Sequence, residues 1–147
     1  MWRILGQVFF EDKQHFCAPD NRFRHPEIIN FCETQGIAIY DTAQAVVRLQ
    51  GNAADEHLEI VETTDIAALL EQIPRCHDIC CTGGKAAETL AEILCTKTPK
   101  VGEYIETWIA NRSLRFWRMP SSSRAYPLAL AKKAAAYQDM FDTIGMR

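Results

Sequence analysis

A strand pattern runs into a polar loop in the stretch Arg115-Phe116-Trp117-Arg118-Met119-Pro120-Ser121-Ser122-Ser123-Arg124. Phe116 and Trp117 favour a pleated, half-buried strand, whereas Pro120 lacks the N–H group that a central ladder needs. Three serines follow and offer hydroxyl and backbone N–H groups where the strand ends. Ligands of open α/β sheets bind at this edge. The predicted binding loop consists of Pro120, Ser121, Ser122, Ser123 and Arg124.

A helix is predicted to follow this loop. Pro127 suits a first helical turn, and apolar residues recur after it at helical spacing. The positive end of the helix dipole would then point at the serines, which favours an anion there. The apolar positions are Leu130, Ala134, Tyr137, Phe141 and Ile144.

Two earlier segments are predicted to be strands that end at polar residues. Residues 36–41 form a short apolar run that ends at Tyr40 and Asp41, which is typical of a buried parallel strand. Residues 78–82 form a second strand, which the turn Gly83-Gly84-Lys85 joins to a helix over residues 86–94. A glycine turn at a strand end lets the backbone approach a ligand closely.

The remaining segments are predicted as helices, loops and a turn. Apolar spacing predicts a packing helix over residues 1–10, and residues 11–25 are polar and form a loop. Further helices are expected from Pro26 to Gly36, carrying Ile29 and Cys32, and from the N-cap Thr64 to Pro74. The apolar residues of segment 101–109 also recur at helical spacing. Its aromatic residues are expected in the core, and the alternative is a platform on which bases stack. A turn is predicted over residues 48–55, around Gly51-Asn52.

Composition places the chain among globular proteins of one domain, residues 1–147. The hydrophobic content is 48%, and no apolar run approaches the roughly 18 residues of a membrane span. The start resembles no signal peptide, so a cytoplasmic location is expected. Six cysteines without a Cys-x-x-Cys pair are expected to be reduced thiols, and no metal or other cofactor is predicted.

The charge of −3 is unevenly distributed along the chain. Residues 112–147 contain five arginines and two lysines against two aspartates, a net charge of +5, so residues 1–111 carry −8. A basic C-terminal segment in an otherwise acidic chain is typical of a protein that binds phosphates on one side of its surface. The alternative is that these charges are scattered over a solvated surface.

The segment Met119-Pro120-Ser121-Ser122-Ser123-Arg124 resembles the second signature loop of the uracil-DNA glycosylase superfamily, especially its mismatch-specific and deoxyinosine (hypoxanthine) branch. Thr82-Gly83-Gly84-Lys85 resembles the end of the third strand in that branch. The resemblance implies a three-layer α/β/α fold with a short, mainly parallel sheet. It also implies hydrolysis of the N-glycosidic bond of a deaminated base, uracil or hypoxanthine, after that base has left the duplex. The partner would be double-stranded DNA with a damaged or mismatched base.

Site residues follow from the same resemblance. The serine loop, with Gly83, Gly84 and Lys85, would contact DNA, and Asp41 with Tyr40 would read the base. Classical uracil enzymes have an asparagine at the position of Asp41, and the alternative is that Asp41 caps the following helix. A carboxylate accepts hydrogen bonds only, so it suits the ring N–H of uracil or hypoxanthine.

The first signature of the family, which normally supplies the residue that activates water, has no counterpart in this sequence. No catalytic residue is therefore assigned. The segment Met1-Trp2-Arg3 resembles the helix that follows this signature, so we expect a chain that lacks the first strand, with low activity and possible self-association through the exposed sheet edge.

Two other classes of protein remain open. The chain is then either a catalytically silent DNA- or nucleotide-binding domain of the same fold, or an unrelated α/β protein whose serine loop holds a small phosphorylated ligand. Neither alternative implies a protein partner or a membrane.

Overall fold

The computed structural model describes residues 1–20, 22–48 and 58–146. These residues form helices and strands in two compact units, one of Met1–Ile39 with Pro120–Arg147 and one of Tyr40–Met119. The presence of both helices and strands agrees with the predicted α/β class. A single domain over residues 1–147 stays a prediction. The elements in chain order are α1 (Trp2–Phe10), α2 (His25–Gln35), β1 (Ala43–Arg48), β2 (Leu58–Thr63), α3 (Ile66–Gln72), β3 (Asp78–Cys81), α4 (Gly84–Ile93), β4 (Glu103–Ile109), β5 (Arg112–Arg118) and α5 (Leu130–Ile144).

Helix α1 confirms the prediction for residues 1–10. Its buried side chains include Ile4, Leu5 and Val8, which share one face because of the helical period. A Cβ atom on Gly6 would lie 2.6 Å from the carbonyl oxygen of Asp12, so the loop after the helix can pass this close only over a glycine.

Helix α2 confirms the predicted boundaries to within one residue. Pro26 lies in the first turn and Gly36 ends the helix with φ of 67°. The buried residues are Ile28 and Phe31, whereas Ile29 is 56% exposed. Phe31 is placed by aromatic packing, with its ring centroid 5.0 Å from that of Phe9.

Helix α5 confirms the predicted apolar face but begins later than predicted. Ala134, Tyr137 and Phe141 are buried, and the Phe141 ring centroid lies 4.9 Å from that of Phe9 in α1. Pro127 precedes the helix by three residues, so it belongs to the preceding turn instead of the first helical turn.

The predicted strand at residues 36–41 is wrong. This segment is irregular, and Ile39 and Tyr40 are 58% and 66% exposed. Three apolar residues in a row are too short a signal without a neighbouring strand to complete the hydrogen bonds. The chain instead forms an antiparallel hairpin of β1 and β2, with Ala43 opposite Thr63. The turn predicted over residues 48–55 lies outside the described residues, apart from the last residue of β1.

The described strands of the second sheet have the order β3-β5-β4. β3 and β5 are parallel, as predicted, whereas β4 is antiparallel to β5. Counting the β1–β2 hairpin, one of the three described pairings is parallel, so the prediction of a mainly parallel sheet is wrong for these residues. One face of the sheet packs on α4 through a core that includes Cys81, Leu90 and Phe116.

The predicted helix at residues 101–109 is wrong, because this segment contains β4. Ile109 pairs with Arg112, and the two residues between them, Ala110 and Asn111, have φ of 48° and 61°. Positive φ at both positions of a two-residue loop is the type I′ turn that suits the twist of a hairpin. The aromatic residues of this strand are not core residues, since Trp108 is 68% exposed.

Helix α3 is capped by a different residue from the one predicted. The Asp65 side chain accepts a 2.9 Å hydrogen bond from the N–H of Ala68. Thr64 is buried, and its hydroxyl donates a 2.7 Å bond to the carbonyl oxygen of Asp41. Among the described helices, none is both long and apolar enough to cross a membrane.

Candidate nucleic-acid interface

The parallel strands β3 and β5 end at the same edge of their sheet. Cys81 pairs with Arg118, and the N–H of Met119 donates a 2.9 Å bond to the carbonyl oxygen of Cys81. The chain therefore leaves both strands at one edge, through Thr82 after β3 and through Met119 after β5. This arrangement confirms the prediction that these two polar segments each follow a parallel strand.

The glycine turn after β3 forms the start of α4. Gly83 is the N-cap with φ of 149°, a backbone conformation that residues with a Cβ atom rarely adopt. The helix has no side-chain cap. Its first N–H groups have no partner within the helix and carry partial positive charge. Lys85, in the first turn, is exposed. The turn can thus offer backbone N–H groups and an ammonium to an anion.

Arg118 adds a positive charge that the sequence analysis did not assign. Its guanidinium lies close to Gly84 at the start of α4, since a Cβ atom added at Gly84 would be 3.5 Å from Nη2 of Arg118. Nη1 donates a 3.4 Å bond to the carbonyl oxygen of Pro99, and the buried Nε has no hydrogen-bond partner among the described residues. Arg118 is the last residue of β5 and pairs with Cys81, the last residue of β3. Knowledge of this strand register would have placed Arg118 beside the start of α4.

The serine loop after β5 is shaped by its own hydroxyl groups. The N–H of Ser123 donates to Oγ of Ser121, and the N–H of Ala125 donates to Oγ of Ser123, both at 3.2 Å. Such hydroxyl turns fix the backbone locally. Pro120 is buried, Ser121 and Ser122 are half-buried, and Ser123 and Arg124 are exposed.

Two side chains of α5 bond to the backbone of this loop, and the sequence analysis missed both. Tyr137 was predicted only as a core residue, yet its hydroxyl donates a 3.1 Å bond to the carbonyl oxygen of Pro120. Lys133 donates a 2.6 Å bond to the carbonyl oxygen of Ser123. The helix thus holds the loop at two points, as well as following it in the sequence.

Asp41 does not have the position that either prediction gave it. It ends no strand and caps no helix, since the element that follows is β1. Asp41 and Tyr40 are exposed, and the carbonyl oxygen of Asp41 accepts the Thr64 hydroxyl bond. The predicted role of both residues in reading a base stays a prediction.

Most basic side chains of the C-terminal segment form hydrogen bonds or ion pairs within the protein. Arg112 donates to the carbonyl oxygens of Leu70 and Ile73, at 3.1 and 3.3 Å. Arg115 binds both carboxylate oxygens of Asp78, at 2.7 and 2.8 Å, and this pairing raises the pKa of the guanidinium. The cations that remain exposed in the described part of this segment are Arg124 and Lys132. The charge asymmetry therefore overstates the size of a phosphate-binding surface.

Comparisons with protein-family models, with curated proteins and with solved structures found no match for this chain. The resemblance to the glycosylase superfamily accordingly rests on the residues quoted above.

The two adjacent thiols of β3, Cys80 and Cys81, are poor nucleophiles at neutral pH. Burial, followed by the neighbouring Cys81 and Asp78, raises the pKa of Cys80 to about 12, and burial raises that of Cys81 to about 12. Within residues 1–20, 22–48 and 58–146, no three His, Cys, Asp or Glu side chains converge to hold a metal ion.

An open groove of about 700 Å³ lies between α1 and α5. Gln7, Glu11, Lys13, Leu130 and Gln138 are among its lining residues, and none of the predicted site residues is. The groove therefore gives no support to the predicted binding residues.

Proposed function

We propose that this chain binds double-stranded DNA that contains a deaminated base, uracil or hypoxanthine, and takes part in the hydrolysis of its N-glycosidic bond. The observation that carries the proposal is the pairing of β3 with β5. Both strands end at one edge, and each continues directly into a segment that resembles a DNA-contacting signature of the glycosylase superfamily.

The chemistry of each segment, taken by itself, suits contact with a phosphodiester of the DNA backbone. The start of α4 offers N–H groups beside the guanidinium of Arg118 and the ammonium of Lys85. The serine loop offers hydroxyl groups and the exposed Arg124. Backbone N–H groups, hydroxyls and cations are the usual donors to nucleic-acid phosphates, and they position the protein without reading sequence.

Base recognition falls to Asp41 and Tyr40 in this proposal. Both side chains are exposed, and an aromatic ring next to a carboxylate can stack on a base and accept its ring N–H. The proposal includes the three-layer α/β/α arrangement of the family, to which the β3–β5 pair would contribute, and a cytoplasmic location. No cofactor is required for the hydrolysis.

A second candidate function is that of a silent binding domain, which recognises the damaged DNA without releasing the base. It is favoured by the two segments themselves, because their N–H groups, hydroxyls and cations suit binding to phosphates, and no residue of the described chain is assigned to activate water. Groups that position or activate water typically contribute about 10²- to 10⁴-fold to rate.

The test combines a binding titration with an assay for abasic sites. Fluorescent duplexes that differ only in one uracil, one hypoxanthine or the matched normal base are titrated at several salt concentrations. The same duplexes are then incubated with the protein and cleaved with alkali at any abasic site. Base release supports the glycosylase, and preferential binding without release supports the silent domain. Equal binding to all three duplexes, with no release, would contradict both.

A further inference from the structure

Lys133 is a buried cation directed at the serine loop. Only 4% of its surface is exposed. Lysine is rarely buried, because a buried ammonium loses its hydration. Nζ lies 2.6 Å from the carbonyl oxygen of Ser123 and 5.3 Å from the ring centroid of Tyr126. Among the described residues no carboxylate forms an ion pair with it. The carbonyl dipole of Ser123 and the aromatic face of Tyr126 therefore stabilise the charge of Lys133.

Tyr137 lies one helical turn after Lys133, on the same face of α5. It is 1% exposed, and its hydroxyl donates to the carbonyl oxygen of Pro120 at 3.1 Å. The two side chains thus reach two carbonyl groups three residues apart in the loop. Because both donors come from a rigid, packed helix, the spacing of those carbonyl groups is fixed by the helix.

We infer that Lys133 and Tyr137 are positioning residues, which fix the serine loop in its binding conformation before DNA arrives. The DNA-binding part of this inference rests on the proposed function. The hydrogen bond from the N–H of Ser123 to Oγ of Ser121 shapes the backbone between the two anchors. The bond from the N–H of Ala125 to Oγ of Ser123 shapes the backbone around Arg124, which follows the second anchor directly. A loop that is already ordered loses less conformational freedom when it binds. The direction in which Arg124 leaves the loop then depends on the bond to Ser123.

The first test measures the loop without DNA. Lys133→Met keeps the length of the side chain but removes its charge and its donors, and Tyr137→Phe removes a single hydroxyl. Lys132→Met is the matched control, because Lys132 is the neighbouring lysine and is exposed. Amide hydrogen exchange of Ser123 and Ala125 is followed by NMR. We expect both variants to exchange about tenfold faster than wild type, since local opening becomes easier, and the control to be unchanged.

Unchanged exchange in Lys133→Met and Tyr137→Phe would overturn the inference. If Lys133→Met does not fold, Tyr137→Phe still decides the question, because phenylalanine preserves the packing of the ring. If exchange becomes faster but wild-type protein does not distinguish the uracil duplex from the normal one, the positioning role stands and the proposed function fails.

The second test asks whether the positioned loop acts through Arg124. Binding of the uracil duplex is measured for Lys133→Met, Arg124→Gln and the double variant, at a temperature where all three are folded. A positioning residue makes the two effects non-additive. We expect Arg124→Gln to weaken binding about tenfold in wild type and less than about twofold when Lys133 is already replaced. Additive effects would show that Lys133 supports only the fold, and would overturn its role in binding.

Discussion

The indole Nε1 of Trp117 donates a 2.8 Å hydrogen bond to Oδ1 of Asp78, and this bond joins β5 to β3 across the sheet. The same carboxylate binds the guanidinium of Arg115 through both oxygens. Asp78 is the first residue of β3, so these bonds join the two strands at the end opposite to the edge from which the glycine turn and the serine loop leave.

Asp78→Ala should lower the free energy of unfolding by about 2–3 kcal/mol, because it leaves an indole N–H and a half-buried guanidinium without their acceptor. Urea denaturation measures the change. Asp139→Ala, which removes an exposed aspartate of α5, is the control and should change the free energy by less than about 0.5 kcal/mol. Equal effects of the two substitutions would show that the Asp78 network does not stabilise the fold.

The cap of α3 gives a second prediction. Asp65→Ala should lower the free energy of unfolding by about 1 kcal/mol, the usual cost of a lost N-cap bond. Asp65→Asn keeps an acceptor for the Ala68 N–H and should cost a few tenths of that amount. The measurement is again urea denaturation. A loss from Asp65→Asn as large as that from Asp65→Ala would show that the charge, and not the cap bond, is responsible.

Asp41 and Thr64 can be separated by mutation. Thr64→Val removes the buried hydroxyl that bonds to the Asp41 carbonyl, and should lower the free energy of unfolding by about 1–2 kcal/mol. Asp41→Ala keeps that carbonyl, so its melting temperature should equal that of wild type. If Asp41 reads a ring N–H, the alanine variant should bind uracil and normal duplexes equally. A large loss of stability in Asp41→Ala would instead give its side chain a structural role.

Arg124→Gln should weaken binding of the uracil duplex more than Arg3→Gln, although both remove one positive charge. Arg124 is exposed directly after the serine loop, whereas Arg3 lies on α1. Loss of one phosphate contact should also reduce the slope of log Kd against log salt by about 0.9. Titration at three or more salt concentrations measures both quantities. Equal affinities and slopes for the two variants would exclude a specific contact by Arg124.

The thiols of Cys80 and Cys81 should be unreactive at ordinary pH. With a pKa of about 12, Cys80 and Cys81 carry roughly one thiolate in ten thousand at pH 8, whereas the exposed Cys95 should be alkylated readily. Iodoacetamide labelling of the folded protein, followed by mass spectrometry, measures each site. Rapid modification of Cys80 or Cys81 relative to Cys95 would contradict the raised pKa values of these two thiols.

The same pKa shifts predict how stability depends on pH. The folded values near 12 lie above the ordinary value of 9.0, so the unfolded chain releases these protons first as the pH rises. The contribution of the two protonated thiols to stability is therefore complete below pH 9 and decreases above it. Replacement of both by alanine should make the free energy of unfolding less dependent on pH between 9 and 11, as measured by urea denaturation.

The sequence by itself determined the elements whose signals are local. Pro26 and Gly36 give the boundaries of α2 because one favours a helix start and the other accepts positive φ. The glycine turn after β3 and the proline after β5 were predicted for the same kind of reason, since each residue restricts or frees its own backbone. The apolar period likewise predicted α1 and the buried face of α5.

Only the tertiary structure decided the elements that depend on distant partners. Residues 103–109 have apolar spacing compatible with a helix, but seven paired residues of β5 and a type I′ turn make them a strand. Residues 36–41 resemble a strand in sequence but pair with no strand among the described residues. Lys133, Tyr137 and Arg118 gained their roles in the same way, because each bonds to a carbonyl group at least ten residues away in the chain. Hydrogen bonds between distant segments leave no periodic trace in a sequence, since their geometry is set by how the elements pack.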